Sequence, residues 1–318
     1  LLFYDARRVV MNITVVGPGA LGCLFAALLA KAGNSVWLLD HDAERAAFFQ
    51  DHGIIFETNG REIRVPVSST TDPEIIGGTD IILLCVKSYD VEVALKQIAP
   101  LLNCGNSLLI ALQNGIAHHE ALSLAVQFYA VGVTAQGGTL ANRGKVIHGG
   151  SGQTILGFLP SQTAAKQRDD KVILLTAAAE TLTTARLPTV ISPVIINSIW
   201  DKLIVNVGIN ALTAINNCPN GKLLSIPSVA PLQEAAVTEA ANVAAAMGIS
   251  LSGDPLKKTI NVCQATRNNI SSMLQDVRNG RRTEIDAING AIVREGKRLG
   301  IPTPVNKQLV AAVKAIML

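Results

Sequence analysis

The chain has 318 residues, 49% of them hydrophobic and 16% charged, and carries 27 Lys and Arg against 24 Asp and Glu for a formal net charge of +3. That length accommodates two domains with substantial cores. So small a charge, with no basic run and no RNA-binding aromatic signature, argues against a nucleic-acid partner.

The five cysteines, Cys23, Cys85, Cys104, Cys218 and Cys263, are scattered without a CxxC pair, several inside apolar runs. A reduced thiol there acts as a small hydrophobe, which fits a cytoplasmic protein. No apolar stretch reaches the roughly 20 uninterrupted residues of a membrane span. Leu1 to Val10 lacks the basic-then-apolar order of a signal peptide, and Met11 directly precedes the first strand, so residues 1–10 read as an extension outside the fold.

From Asn12 onward short β-rich runs alternate with helical ones, the pattern of a parallel sheet covered by helices. Strands are expected at Ile13–Val16, Ser35–Leu39, Ile81–Val86, Ser107–Leu112 and Tyr129–Thr134. The first is followed by Gly17-Pro18-Gly19-Ala20-Leu21-Gly22, an Ala/Leu-rich helix to about Lys31, and the second strand. A GxGxxG is weak alone, but strand, glycine loop, helix and strand within about 30 residues is the context of a dinucleotide site. Gly17 permits the tight turn, Gly19 lets backbone amides approach a pyrophosphate, and Gly22 lets helix and strand pack closely. The helix N-terminus then receives the anion. Beyond Thr134, glycines punctuate short strands expected to run antiparallel and close the edge of the sheet.

After Ser192-Pro193 the β-rich text stops. The predicted organisation is residues 11–192 as a doubly wound Rossmann-type domain and residues 193–318 as an all-helical domain, with helix breaks at 219–221, 248–255, 279–280 and 300–304. Trp200 to Thr213 lays Lys202, Asn206 and Asn210 along an otherwise apolar helix. Steps of four keep the three groups near one face. A lysine and two amides there cost free energy unless they are paired or face a wet cleft, so the ladder is a candidate site.

Open parallel sheets bind ligands beyond the carboxyl ends of their strands. Lys87-Ser88-Tyr89 follows one expected strand and Gln113-Asn114-Gly115 another. Lys87 is placed to donate to a phosphate or a substrate oxygen, and Asn114 to a nicotinamide ribose or the reacting group. Each also reads as the start of an exposed loop. Asn269, Ser272 and Asp276 fall at i, i+3 and i+7, one face of a predicted helix. Thr283-Glu284-Ile285-Asp286 has the spacing of a capping box with Thr283 as N-cap, which gives Glu284 a structural explanation. The five histidines show no metal-ligand spacing, and no nucleophile elbow is present.

These residues resemble the ketopantoate reductases (2-dehydropantoate 2-reductases), from Met11 to about Pro304. The resemblance rests on the glycine loop, Gln113-Asn114-Gly115, Trp200-Asp201-Lys202-Leu203 leading to Asn206 and Asn210, and Cys218-Pro219-Asn220-Gly221. Most distinctive is Asn269-Ile270-Ser271-Ser272-Met273-Leu274-Gln275-Asp276 followed by Thr283-Glu284-Ile285-Asp286 and Asn289-Gly290.

The resemblance implies a 6-phosphogluconate-dehydrogenase-like helical domain, an active site between the domains, and reduction of 2-dehydropantoate to pantoate. It implies Lys202 as general acid and Glu284 as its hydrogen-bonding partner, which overturns the purely structural reading of Glu284. Asn206, Asn210 and Ser272 become substrate ligands and Asn269 a weaker one; Asn114 lies near the nicotinamide and Lys87 at the cleft. The chemistry suits these types: an ammonium stabilises the developing alkoxide and delivers its proton, with burial drawing the lysine toward a working pKa.

The resemblance also implies NADPH, yet the second strand leads into Asp40-His41-Asp42-Ala43-Glu44-Arg45, with His41 where the family usually carries an arginine. Asp40 lies close to where an acid binds a ribose 2′-hydroxyl, which makes NADH the competing cofactor, while Arg45 can still reach a phosphate. Reduction of another branched 2-oxo acid and non-catalytic NAD(P) sensing are the alternative functions. An apolar helical domain can also pair with itself as a homodimer.

Overall fold

The computed structural model describes residues 10–103, 107–160 and 168–317. The expected N-terminal extension, apart from Val10, and Cys104 lie outside the described residues. Twelve strands are described: β1 (Asn12–Val16), β2 (Ser35–Leu39), β3 (Ile54–Thr58), β4 (Arg61–Val65), β5 (Ser68–Thr70) and β6 (Ile81–Leu84) come first. They are followed by β7 (Leu108–Ala111), β8 (Tyr129–Thr134), β9 (Gly137–Asn142), β10 (Lys145–Gly150), β11 (Thr154–Gly157) and β12 (Thr189–Ile191). Between the strands run α1 (Ala20–Lys31), α2 (Ala43–His52), α3 (Val91–Gln97), α4 (Ala99–Asn103), α5 (His119–Ala125) and α6 (Arg168–Thr184). The chain then continues as α7 (Ile195–Asn216), α8 (Val229–Ala246), α9 (Pro255–Ala265), α10 (Ser272–Arg278), α11 (Asn289–Leu299) and α12 (Pro304–Ala315).

The main sheet has the order β12-β11-β8-β7-β6-β1-β2-β5. Pairing is parallel from β5 through β8, so the chain winds outward from β1 through β2 to β5 and then crosses to β6 on the other side. That reversal beside β1 is the switch point of a doubly wound fold. The antiparallel β8–β11 pair and the parallel β11–β12 pair extend this edge.

The other late strands depart from expectation. The hairpin of β9 and β10 does not close the main sheet; it joins β3 and β4 in a separate four-stranded sheet of order β4-β3-β10-β9. The reason lies in α1, whose sequence ALGCLFAALLAK offers no polar face: Gly22 to Leu29 are buried throughout. One side of α1 packs on β1 and β2 and the other on β9, β10 and β3, so a helix apolar all round needs a second cover.

By backbone proximity the described chain divides into two units. One contains the residues up to Val86, Asp90–Gln113 and Leu122–Pro193; the other contains Lys87–Tyr89, Asn114–Ala121 and Val194 onward. Each has its own core, the first around Val15, Phe25, Leu38, Phe56 and Ile110, the second around Trp200, Val207, Val237 and Ile292. In the helical unit α7 is the central element, surrounded by α8, α9, α10 and α12, which accounts for its apolar residues on every side. Gly208 permits close approach of α8 and α9, since a Cβ there would stand 2.7 Å from both Thr259 Cγ2 and Val237 Cγ2.

Candidate active site

In the sheet unit the glycine loop runs from the end of β1 into α1. Gly17 has φ +89°, a conformation that favours glycine, and a Cβ on Gly22 would stand 2.2 Å from the Gly17 carbonyl oxygen. Gly19 is the N-cap of α1 and supplies no side chain to the amides of Ala20, Leu21 and Gly22. A Cβ at Gly19 would meet nothing within 4 Å, so the loop is open where those amides point outward. These residues fit the pyrophosphate of a dinucleotide.

The end of β2 arranges its charges differently from a bare ribose-binding acid. The Asp40 side chain has no exposed surface. Its Oδ1 accepts from the His41 backbone N–H at 2.7 Å, the Asp42 N–H at 3.2 Å and Arg45 Nη2 at 2.6 Å. Its Oδ2 accepts from Arg45 Nε at 2.5 Å. Arg45 is the third residue of α2, and its own N–H is received at 2.9 Å by the N-cap Asp42. The guanidinium remains about one-third exposed and His41 is largely exposed, so the Arg45 cation and the His41 ring rather than the carboxylate are open to solvent here.

The helical unit assembles most of the remaining candidates. Lys202, half-buried on α7, is drawn down to about 8 by burial, with the Glu284 carboxylate opposing that fall. Glu284 is buried; its Oε1 accepts from the Ser88 N–H at 3.0 Å and its Oε2 from Asn114 Nδ2 at 3.4 Å. Lys87 Nζ stands 2.5 Å from Asp276 Oδ2 and 3.7 Å from Glu284 Oε2. Asn206 and Asn210 share the Lys202 side of α7, and Asn210 is only 5% exposed. The Thr213 hydroxyl donates to the Asn210 carbonyl at 2.9 Å and meets the Ser271 hydroxyl at 2.7 Å, so α10 is tied to α7 one turn beyond Asn210. Ser272, the first residue of α10, is exposed.

Three sequence expectations are corrected. Thr283 caps no helix: the chain turns from Glu284 to Ile288 and α11 starts only at Asn289, while the Glu284 carboxylate accepts from Ser88 and Asn114. Asn269 is not on the helix face shared by Ser272 and Asp276; it is exposed in the turn before α10, whose N-cap is Ser271. Asp40, expected where an acid binds a ribose 2′-hydroxyl, has its carboxylate covered by Arg45. Asp276, seen in the sequence only as a member of a helical face, is the nearest partner of Lys87.

A glycine loop heading a doubly wound sheet, in a chain that also sets a half-buried lysine against a carboxylate, defines an NAD(P)-dependent oxidoreductase. Residues 13–161 match the family model described as ketopantoate reductase PanE/ApbA, and residues 194–317 match that of its C-terminal part. A relative named 2-dehydropantoate 2-reductase in Halobacterium salinarum is 33% identical, over 96% of this chain and 98% of that one. A relative of the same name in Vibrio cholerae is 35% identical over the same shares. Among solved structures, the PanE/ApbA family ketopantoate reductase from Ralstonia eutropha JMP134 has a TM-score of 0.86 at 31% identity, covering 96% of this chain and 98% of that chain. A D-mandelate dehydrogenase solved with NADH and anilino(oxo)acetate has a TM-score of 0.87 at 29% identity, with the same coverage. The chain belongs to the ketopantoate reductase family.

Among the described residues no cluster of His, Cys, Asp and Glu could hold a metal ion, and no helix is long and apolar enough to cross a membrane. The described cysteines are all free, and burial pushes the Cys23 thiol up to about 12.

Proposed function

We propose that this protein reduces 2-dehydropantoate to pantoate in the cytoplasm, with NADPH as the preferred cofactor. The observation that carries the reading is a half-buried lysine on an otherwise apolar helix, drawn down by burial and opposed by the buried Glu284 carboxylate, which Ser88 and Asn114 hold in place. A reduced nicotinamide, when bound, supplies the hydride that the keto carbon receives. Lys202 Nζ stabilises the negative charge left on the substrate oxygen and donates the proton that completes the alcohol. Glu284, aligned by Ser88 and Asn114, orients that ammonium and accepts from a substrate hydroxyl. Asn206, Asn210 and Ser272 offer neutral donors to the substrate carboxylate and hydroxyl groups, which fixes orientation without changing the charge of the site. Asn269 contributes at the rim.

The preference for NADPH rests on the β2 end: Asp40 has no lone pair turned outward, whereas Arg45 and His41 present donors suited to a 2′-phosphate.

The test is a steady-state assay of the purified chain with ketopantoate and either cofactor, run beside an aromatic 2-oxo acid of the mandelate type. Ketopantoate with NADPH is expected to give the highest kcat/KM. Since Lys202 must be protonated to act, kcat/KM for reduction holds on the acid side and falls about tenfold per pH unit above pH ~8. Oxidation of neither cofactor would overturn the reading, and faster turnover of the aromatic acid would reassign the substrate.

A further inference from the structure

Two buried carboxylates, Asp276 and Glu284, compete for the ammonium of Lys87. Asp276 prevails: Lys87 Nζ lies 2.5 Å from its Oδ2 but 3.7 Å from Glu284 Oε2. Asp276 is itself fixed. Its side chain is 5% exposed on α10, its Oδ1 faces Arg281 Nε at 3.5 Å, and its carbonyl oxygen accepts from the Arg281 N–H at 2.8 Å. Lys87 is anchored through its neighbours, since Ser88 donates to Glu284, and the Tyr89 hydroxyl donates to the Arg282 carbonyl at 3.1 Å while its ring lies under that guanidinium.

We propose that Asp276 is a positioning residue for the reaction: it holds Lys87 away from Glu284, so that the Glu284 charge remains directed at Lys202. This rests on the assignment of Lys202 as the proton donor. Among the described residues, the other carboxylate that pairs with the Lys87 ammonium is Glu284, within about a bond length of ideal ion-pair distance. A closer Lys87–Glu284 pair would screen the carboxylate and leave Lys202 with less of its opposing charge.

The charges acting around the pair are Lys202 from α7, Lys87 from the segment after β6, and Asp276 from α10. Arg281 faces Asp276, and Tyr89 faces Lys87. Against the effect of burial, Lys87 is raised by both carboxylates and Lys202 is held up by Glu284, so the two lysines draw on the same glutamate. A merely structural Lys87–Asp276 pair would tie the 87–89 segment to α10 and have no effect on Lys202.

The test measures Lys202 directly. The apo chain is labelled with trace acetic anhydride across pH 6 to 11, and acetylation of the Lys202 peptide is read by mass spectrometry, beside the alkaline limb of kcat/KM. Asp276→Asn should move both midpoints down by roughly half a pH unit or more, because Glu284 is taken up by Lys87. Lys87→Met should move them up, because Glu284 loses its competing cation. Midpoints unchanged in both variants, or displaced in the same direction, would overturn the proposal. If Asp276→Asn does not fold, the one-third-exposed Lys87→Met decides by the sign of its shift. Labelling is independent of turnover, so a Lys202→Ala enzyme that still reduced ketopantoate would remove the proton-donor assignment while the labelling result stood.

Discussion

At the residue scale, the acid that follows β2 has two uses that exclude each other. An Asp40 carboxylate turned outward would accept from a ribose 2′-hydroxyl and repel a 2′-phosphate; turned inward, it serves to fix Arg45. The bidentate contact to Arg45 and the two backbone donors favour the second use. The expected consequence is opposite in sign for the two cases. Asp40→Ala should lower the preference for NADPH, because Arg45 loses its anchor, whereas a ribose-binding Asp40 would raise it on removal. Arg45→Ala should raise the KM for NADPH by about tenfold, the scale of one charge-assisted contact, and change that for NADH much less. Paired KM measurements on both variants check this, and an unaltered cofactor ratio would release Arg45 from the role. Much of the site was legible as types and spacings: Lys202, Asn206 and Asn210 at steps of four, the glycine loop in its strand-helix context. The Asp276 role was not, because its partner Lys87 is 189 residues away and no periodicity connects them. Glu284 was ambiguous for a related reason: its local spacing matches a cap, and only the long-range contact to Ser88 tells otherwise.

At the element scale, α1 is apolar on every face and α7 carries apolar residues on every side around its Lys202–Asn206–Asn210 ladder, and each solves the problem by being covered more than once. For α7 the covers are helices, which the continuous helical text of the C-terminal half announced. For α1 the outer cover is a second sheet whose strands are 54–65 and 137–150, far apart in the chain, so strand propensity alone could not assign their partners. The Ile54–Val65 segment nevertheless carried a local signal: Asn59-Gly60 between two five-residue strands is a two-residue hairpin, with Asn59 at φ 51° and Gly60 at φ 72°. Close packing on α7 sets a sharper demand. Gly208 lies midway between Asn206 and Asn210, and a methyl group there would intrude on Thr259 of α9 and Val237 of α8. Gly208→Ala should therefore destabilise the protein by about 1–3 kcal/mol and, by displacing the asparagine ladder, raise the KM for the 2-oxo acid more than that for the cofactor. Denaturant melts together with substrate and cofactor titrations check both parts. A full loss of stability with unchanged substrate KM would show that the ladder tolerates movement of its helix.

At the scale of the whole molecule, two separate cores mean that the cost of burying Lys202, the proposed proton donor, falls on one of them. Lys202 belongs to the helical unit, and its folded-state pKa of about 8 lies below the model-peptide value of 10.5. Below pH 8 the ammonium is charged in both folded and unfolded chains, and folding carries the full penalty of keeping it half-buried. Between pH 8 and 10.5 the unfolded chain binds the proton and the folded one does not, so stability rises with pH and the penalty fades. Lys202→Met, similar in length and apolar, should thus yield an inactive protein that is more stable than the parent at pH 7, by roughly 2–4 °C for each kcal/mol recovered, with the difference shrinking toward pH 10. Glu284 keeps Ser88, Asn114 and Lys87 as partners in that variant, so removal of the lysine does not strand its charge. Of the chain's 2 tryptophans, Trp200 is fully buried in the helical core and Trp37 lies in the sheet unit. Thermal melts followed by Trp200 fluorescence in a Trp37→Phe background therefore report the helical unit. A Lys202→Met melt below the parent's at pH 7, or an advantage that grows with pH, would mean that the lysine stabilises the fold by its contacts more than burial of its charge opposes it.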